Sequence, residues 1–377
     1  MKKYKLKKQY NTDINKIPDV TKKYKFELMP LTAIHIGNGE SISPFQYTVA
    51  RKNGQREVLI FYPEKLIHSL SKEDLSEYYK YTDKNDIKEL RAFLSKKVTA
   101  KFESCKKYTA KPSNEFVEKY KQTKTDINNI LEIAEIYKNN NRLVVPGSSI
   151  KGAIRTAVLN NIADSCQEHN INNNREEVEK KILGYHSAKD DPFRLISIED
   201  VSYPIENNLI VSPLKLVHYD ASINTRRINI YAEALKGLLI DSIPTISSGE
   251  IIIHNELANK KVENKMDFIL KNEKYYNIEK LAEYINNFFY KVFEKEYKKI
   301  RQSYHDDNIK KTYDQIAEYI KETKDKGEIL LRLGRWSHIE AMTIEKVRRK
   351  KHSKTRTLME YNGQLYPMGW CTMKIYK

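Results

Sequence analysis

Leu143-Val144-Val145-Pro146-Gly147-Ser148-Ser149-Ile150-Lys151-Gly152-Ala153-Ile154-Arg155 carries the strongest local signal in the chain. A short apolar run meets a Pro-Gly turn, and the two serines that follow suit the N-cap of a helix. Ile150, Ile154, Val158 and Ile162 then recur at helical spacing, which predicts that one face of this helix is core. Unpaired N–H groups and the positive end of the helix dipole make such a terminus a ready anion site. Lys151 falls in the first turn, where a cation disfavours the helix unless an anion shares the site. Arg155 lies one turn on, on the same face. Ser148, Ser149, Lys151 and Arg155 are therefore candidate phosphate contacts, with the two cations expected on a solvated face. The competing reading is an ordinary capped helix with a solvated lysine. The P-loop spacing G-x-x-x-x-G-K-[ST] is absent.

Upstream, residues 24–28 alternate apolar with polar, as a half-buried strand does. They run into Pro30-Leu31-Thr32-Ala33-Ile34-His35-Ile36-Gly37-Asn38-Gly39, whose Gly-Asn-Gly end is turn chemistry. Residues 58–62 predict a second strand, closed by Pro63. Residues 64–140 are polar, lysine-rich and mostly helical by pattern, an insertion between core strands. Ile127, Ile130, Leu131, Ile133, Ala134 and Ile136 give it an apolar stripe before the turn at Asn139, Asn140 and Asn141.

Downstream, residues 193–201 and 209–217 read as strands. Residues 219–227 are polar and turn-like and residues 228–232 resume alternation, a long hairpin with a basic tip at Arg226 and Arg227. Residues 250–254 predict another strand. From Met266 to about Lys324 there is no proline, and Leu281, Ile285, Phe288, Phe289, Val292 and Phe293 recur at helical spacing. Residues 328–333 and 368–375 return to strand. Alternating strands and helices with long insertions predict an α+β class. No repeat of fixed period occurs.

The chain has 377 residues, with 67 Lys and Arg against 50 Asp and Glu, a formal charge of +17. That excess points to a polyanionic partner. An AT-rich genome gives a competing reading, since Lys, Asn, Ile and Tyr are abundant together, so the position of the charge says more than its total. No run approaches the roughly 18 apolar residues of a spanning helix, which argues against a membrane protein. The basic start, MKKYKLKKQY, has no apolar stretch behind it and does not read as a secretory signal. Residues 1–22 read as a basic arm. Cys105, Cys166 and Cys371 are scattered without metal-ligand spacing, so a reducing cytoplasm is expected.

Four of these elements together resemble a known family. VVPGSSIKGAIRTAVL (residues 144–159) is similar to the Pro-Gly-Ser-Ser-hydrophobic-Lys-Gly-x-hydrophobic-Arg signature of CRISPR RAMP proteins. PLTAIHIGNG (30–39) resembles the element that ends their first strand, and DPFRLISIED (191–200) their Phe-Arg-x-hydrophobic-x-hydrophobic-x-Asp strand. IYAEALKG (230–237) resembles the stretch after their long hairpin. The order of the four, over residues 30–240, makes the match specific. Size, the helical C-terminal third and the ending Ser353-Lys354-Thr355 … Met368-Gly369-Trp370 most resemble the fifth-subunit family of type III-A Csm complexes.

The resemblance implies a ferredoxin-like (RRM-like) RAMP fold with helical insertions and a helical C-terminal subdomain. It divides the chain into the arm 1–22, an RRM-like domain 23–254 with the insertion 64–140, and a C-terminal region 255–377 with returning strands. It implies a non-catalytic crRNA-binding subunit that caps the guide's 3′ end, contributing to crRNA maturation and antiviral defence. The alternative within the superfamily is an endoribonuclease that processes the crRNA precursor. The implied partners are crRNA, a backbone RAMP subunit and the other Csm subunits, with target RNA and cellular nucleases as further candidates. No cofactor, metal or membrane is implied.

The chain departs from the family pattern in its late glycine-rich loop, where Leu331-Arg332-Leu333-Gly334-Arg335-Trp336-Ser337-His338 has a single glycine. Close backbone approach to phosphate is then in doubt, while Arg335 and Trp336 suit RNA contact through charge and stacking. Trp336 as a core residue is the competing reading. KVRRKKHSKTR (346–356) holds seven Lys and Arg and no acid, so Arg348, Arg349 and Lys354 join the candidate RNA contacts, against a plain solvated stretch. His35, Tyr219 and His338 can be assembled into a metal-independent nuclease on paper, but their spacing does not demand it. Glu40, the first acid after the Gly-Asn-Gly turn, does not match the cleaving aspartate of backbone subunits. No catalytic site is expected.

Overall fold

The computed structural model describes residues 21–376 apart from 53, 124–130, 166–174, 190, 220–225, 255–276, 305, 325 and 348–352. The basic arm therefore lies, but for its last two residues, outside the described residues. So do Ile127, Ile130, Cys166, Arg348 and Arg349.

One sheet is built from β1 (Lys22–Pro30), β2 (Ile196–Ile198), β3 (Ser247–Ile253), β4 (Ile329–Arg332) and β5 (Trp370–Tyr376), in the order β4-β5-β1-β3-β2 with every pairing antiparallel. β1 and β2 flank β3 and so run parallel, joined by a crossover that contains helix α1 (Gly147–Ser165). β3 and β5 flank β1 in the same way and are joined through α2 (Ile278–Ser303) and α3 (Asp307–Lys324). This is the expected ferredoxin-like order, extended by β4 outside β5.

The local reasons match the sequence pattern. Phe26 and Leu28 alternate inward from β1, both 0% exposed. Ile150, Ile154, Val158 and Ile162 of α1 are buried, as are Leu281, Ile285, Phe288, Phe289, Val292 and Phe293 of α2. Each such side chain stabilises the fold by roughly 1.5–3 kcal/mol. The Asn277 side chain caps α2 by accepting from Lys280 N at 2.9 Å. α1 and α2 touch, with Asn161 Nδ2 donating to the Tyr284 carbonyl at 2.7 Å.

A second sheet runs Gly37–Ile42, Ile133–Ile136, Arg226–Leu235, Leu209–His218, Lys106–Pro112, Gln55–Phe61, Tyr47–Lys52, and Thr355–Tyr361 also pairs with Leu209–His218. Three of the strand and hairpin expectations need correction. The insertion 64–140 is not wholly helical: after Pro63–His68, Lys72–Asp83 and Ile87–Cys105, Lys106–Pro112 crosses the sheet as a strand. Ile133–Ile136 likewise forms sheet, because β-branched isoleucines favour extended backbone once a neighbouring strand is available. Residues 193–201 are broken, since Pro192 and the Asp191 cap fold Pro192–Leu195 into a 3-10 turn before two short strands in different sheets. Arg226 and Arg227 are not the tip of the hairpin. They open the strand Arg226–Leu235, opposite Leu216 and Lys215.

Candidate nucleic-acid interface

The segment after β1 ties the two sheets together. Leu31 N and Thr32 N donate to the Trp370 carbonyl at 2.9 and 3.1 Å, and Ile34 exchanges backbone bonds with Leu235 at 3.0 and 2.9 Å. Gly369 N donates to Ala33 O (2.9 Å), Arg335 N to His35 O (2.8 Å) and Tyr137 N to Ile36 O (2.7 Å). Chain segments from four distant parts of the sequence thus converge on one strap. Glycines permit the approach. A Cβ on Gly237 would stand 2.5 Å from Thr32 Cα, and one on Gly334 2.4 Å from His35 O. The single glycine of the late loop therefore serves a close approach to the protein's own backbone.

Gly334 also holds φ at +84°, and Trp336 and His338 are left-handed at 65°. For residues with side chains that conformation costs on the order of 1–2 kcal/mol each. Ser337 Oγ pins the turn by donating to Gly334 O at 2.7 Å. The result places Trp336, half-buried, against the His35 ring with centroids 4.7 Å apart. The exposed Arg335 guanidinium lies 5.0 Å from the Trp336 ring centroid. A cation over an accessible aromatic is the pairing that grips single-stranded nucleic acid.

His35 itself is 1% exposed. Its Nδ1 donates to the Glu233 carbonyl at 2.7 Å, so Nδ1 carries the proton and Nε2 keeps a lone pair. Burial lowers its pKa to about 4, outweighing that backbone bond, with Arg335 and Lys138 pushing the same way. His338 is half-buried, with desolvation and the nearby Arg332 and Arg356 charges lowering its pKa to about 4, and its Nε2 accepts from Thr357 N at 3.0 Å. Tyr219 lies under the Arg356 and Lys299 cations, 5.3 and 5.4 Å from its ring. Each of the three side chains makes contacts within the fold. Among the described residues no group of three or more His, Cys, Asp or Glu is placed to hold a metal, and no helix is long and apolar enough to cross a membrane.

At the start of α1 the helix begins at Gly147, so Ser148 and Ser149 sit in its first turn and not at the cap. The cap is remote: Asp200 Oδ1 accepts from Gly147 N at 2.8 Å. Ser148 is exposed, and Ser149 and Lys151 are half-buried. Burial draws the Lys151 pKa down, partly offset by Asp191, and among the described residues no carboxylate pairs with it. Arg155 departs from expectation. It is not on a solvated face but binds Asp191 through two bonds of 2.9 and 2.8 Å, Glu179 at 3.1 Å and the Tyr185 hydroxyl at 3.0 Å. Helical spacing alone could not reveal carboxylates supplied from residues 179 and 191.

Of the basic run 346–356, Lys354 is exposed, whereas Arg356 turns inward to the Glu296 carboxylate at 2.9 Å. Arg332 Nη1 reaches the same carboxylate at 2.6 Å. The sequence did carry a sign of this cluster: Glu296 interrupts the apolar stripe of α2 midway between Val292 and Ile300, one turn from each.

Residues 27–337 match the family model of the RAMP superfamily. A chain in the cryo-EM structure of a Csm–crRNA–target RNA ternary complex of a type III-A CRISPR-Cas system superposes with a TM-score of 0.61 at 18% identity, over 93% of this chain and 100% of that one. The crystal structure of Csm5 from T. onnurineus gives a TM-score of 0.58 at 19% identity, over 92% and 99% of the two chains. No curated protein matches the sequence.

Proposed function

We propose that this chain, which belongs to the RAMP superfamily, is a non-catalytic RNA-binding subunit that caps the crRNA 3′ end of a type III-A Csm interference complex. One observation carries this reading. The likeness to Csm5 extends over nearly the full length of both chains, so it takes in the helical C-terminal region as well as the common sheet. In that role the subunit contributes to crRNA maturation and antiviral defence, with crRNA, a backbone RAMP subunit and the other Csm subunits as partners. Filaments of such subunits grow by heterologous contacts. A terminal subunit keeps one docking face and covers the other, and the helices Lys72–Asp83, Ile87–Cys105 and α3 suit that cover.

Co-expression with the neighbouring genes tests the reading. Omitting this subunit should leave a smaller complex whose guides have altered 3′ ends and fixed 5′ ends. Several copies in a row by native mass spectrometry, unchanged guides, or site-specific cleavage of precursor by the purified chain in EDTA would overturn it.

The RNA contacts we propose are Ser148, Ser149 and Lys151 at the start of α1, Arg335 and Trp336 on the late loop, and Lys354. Arg348 and Arg349, of the same basic run as Lys354, and Arg226 and Arg227, at the start of the strand Arg226–Leu235, are proposed as further phosphate contacts. Lys151→Ala and Arg335→Ala should each flatten the dependence of log K on log salt by roughly 0.7 for single strands. Arg155→Ala, in contrast, should lower stability, because it leaves Asp191 and Glu179 without their partner. Slopes identical to the parent in both lysine and arginine variants would remove these two residues from the interface.

A further inference from the structure

Nε2 of His35 is buried and has no hydrogen-bond partner. An unsatisfied polar atom in the interior is costly and calls for an explanation. With Nδ1 committed to the Glu233 carbonyl, Nε2 is an acceptor only and needs a donor. The nitrogen faces Gly37, where a Cβ would stand 2.9 Å from it and 3.6 Å from the Glu135 carbonyl. Gly37, Asn38 and Gly39 are exposed, and the ladder with Ile133–Ile136 breaks register between Gly37 and Ser41. The lone pair is thus separated from solvent by a turn that carries no side chain at the critical place. Glycine at such a position lets a ligand approach the backbone closely. Trp336 packs against the same imidazole and Arg335 lies over Trp336, so a strand gripped by them passes close to this turn.

We propose that His35 Nε2 accepts a hydrogen bond from a ribose 2′-hydroxyl, making the Gly37–Gly39 turn the element that distinguishes RNA from DNA. This rests on the RNA-binding reading above and sharpens it. The 2′-hydroxyl is favoured over base donors because every ribonucleotide carries it, whereas a subunit serving guides of varied sequence gains nothing from a donor present on some bases only.

The test uses the full chain and single strands of two unrelated sequences, each made as RNA, as DNA and as 2′-fluoro RNA, which keeps ribose size but cannot donate. The parent protein should bind RNA about 3- to 10-fold tighter than either analogue, the worth of one hydrogen bond. In His35→Phe, which keeps a ring against Trp336, that ratio should fall to about one while affinity for DNA is unchanged. Where this variant does not fold, the parent protein still decides the matter: the ¹⁵N shift of His35 Nε2 should move with RNA and stay with 2′-fluoro RNA. Equal binding of RNA and 2′-fluoro RNA, a ratio that survives in His35→Phe, a preference that follows base identity, or a shift alike for both strands would each overturn the inference while leaving RNA binding intact. A chain that binds no RNA would overturn the reading beneath it as well.

Discussion

Glu296→Gln is expected to cost the fold about 3–5 kcal/mol, the typical penalty for removing one partner of a buried ion pair. Glu296 is 1% exposed and stands on α2. Its Oε2 accepts from Arg332 of β4 at 2.6 Å and from Arg356 of the second sheet at 2.9 Å, and its Oε1 from the Tyr313 hydroxyl at 2.5 Å. Burial alone would push this carboxyl up, but the two guanidiniums override it and hold it well below the usual carboxylate range. It is therefore charged. Glutamine preserves the shape and one acceptor but removes the charge, leaving Arg356 with Glu340 at 3.2 Å and Arg332 with the Met368 carbonyl at 3.0 Å. Urea unfolding should show a lower midpoint with an unchanged slope. The sign of the pH dependence follows from the depressed carboxyl. Its contribution is complete above the ordinary glutamate pKa and is lost as pH falls towards the folded value, so parent and variant should converge in acid. A loss below about 1 kcal/mol at neutral pH would show that the cluster relaxes without its centre.

That cluster marks a limit of reading composition. A basic run of seven Lys and Arg suggests a solvated or phosphate-binding stretch, yet its last member, Arg356, is 2% exposed and tied to α2. Charge counts carry no information on burial; partner carboxylates 60 residues away do. Periodicity served better. The core faces of α1 and α2, the alternation of β1 and the strand at the C-terminus were all legible, because each is a local pattern of one element. What escaped was set by pairing across the chain. Lys106–Pro112 looks too polar for a sheet interior, and becomes a strand because Gln55–Phe61 and Leu209–His218 accept it on either side. The strap 31–37 was visible as strand-end and turn, but its hydrogen-bond partners come from residues 137, 235, 335 and 369–370. No local window contains them.

Gly334→Ala is expected to cost roughly 3 kcal/mol or more, and to reduce RNA binding with it. Two penalties add. The residue holds φ at +84°, where a side chain costs on the order of 1–2 kcal/mol. In addition the new Cβ would lie 2.4 Å from the His35 carbonyl oxygen and 3.1 Å from its carbon. Those are backbone atoms and no rotamer change can clear them, so the loop itself must retreat, as overpacked sites do at about 1–3 kcal/mol. Retreat breaks the 2.8 Å bond from Arg335 N to His35 O and lifts Trp336 off the imidazole. The proposed grip on RNA would then lose its cation and its stacking surface together. Gly363→Ala separates the two penalties, since Gly363 has nearly the same φ, +83°, and nothing within 4 Å of its Cβ position. That variant should lose only the conformational part and bind RNA as the parent does. Chemical unfolding of both, with RNA affinity measured on the folded fraction, compares them directly. Equal destabilisation by the two substitutions would mean that the closeness of Gly334 to His35 is incidental, and undiminished RNA affinity in Gly334→Ala would take Arg335 and Trp336 out of the binding surface.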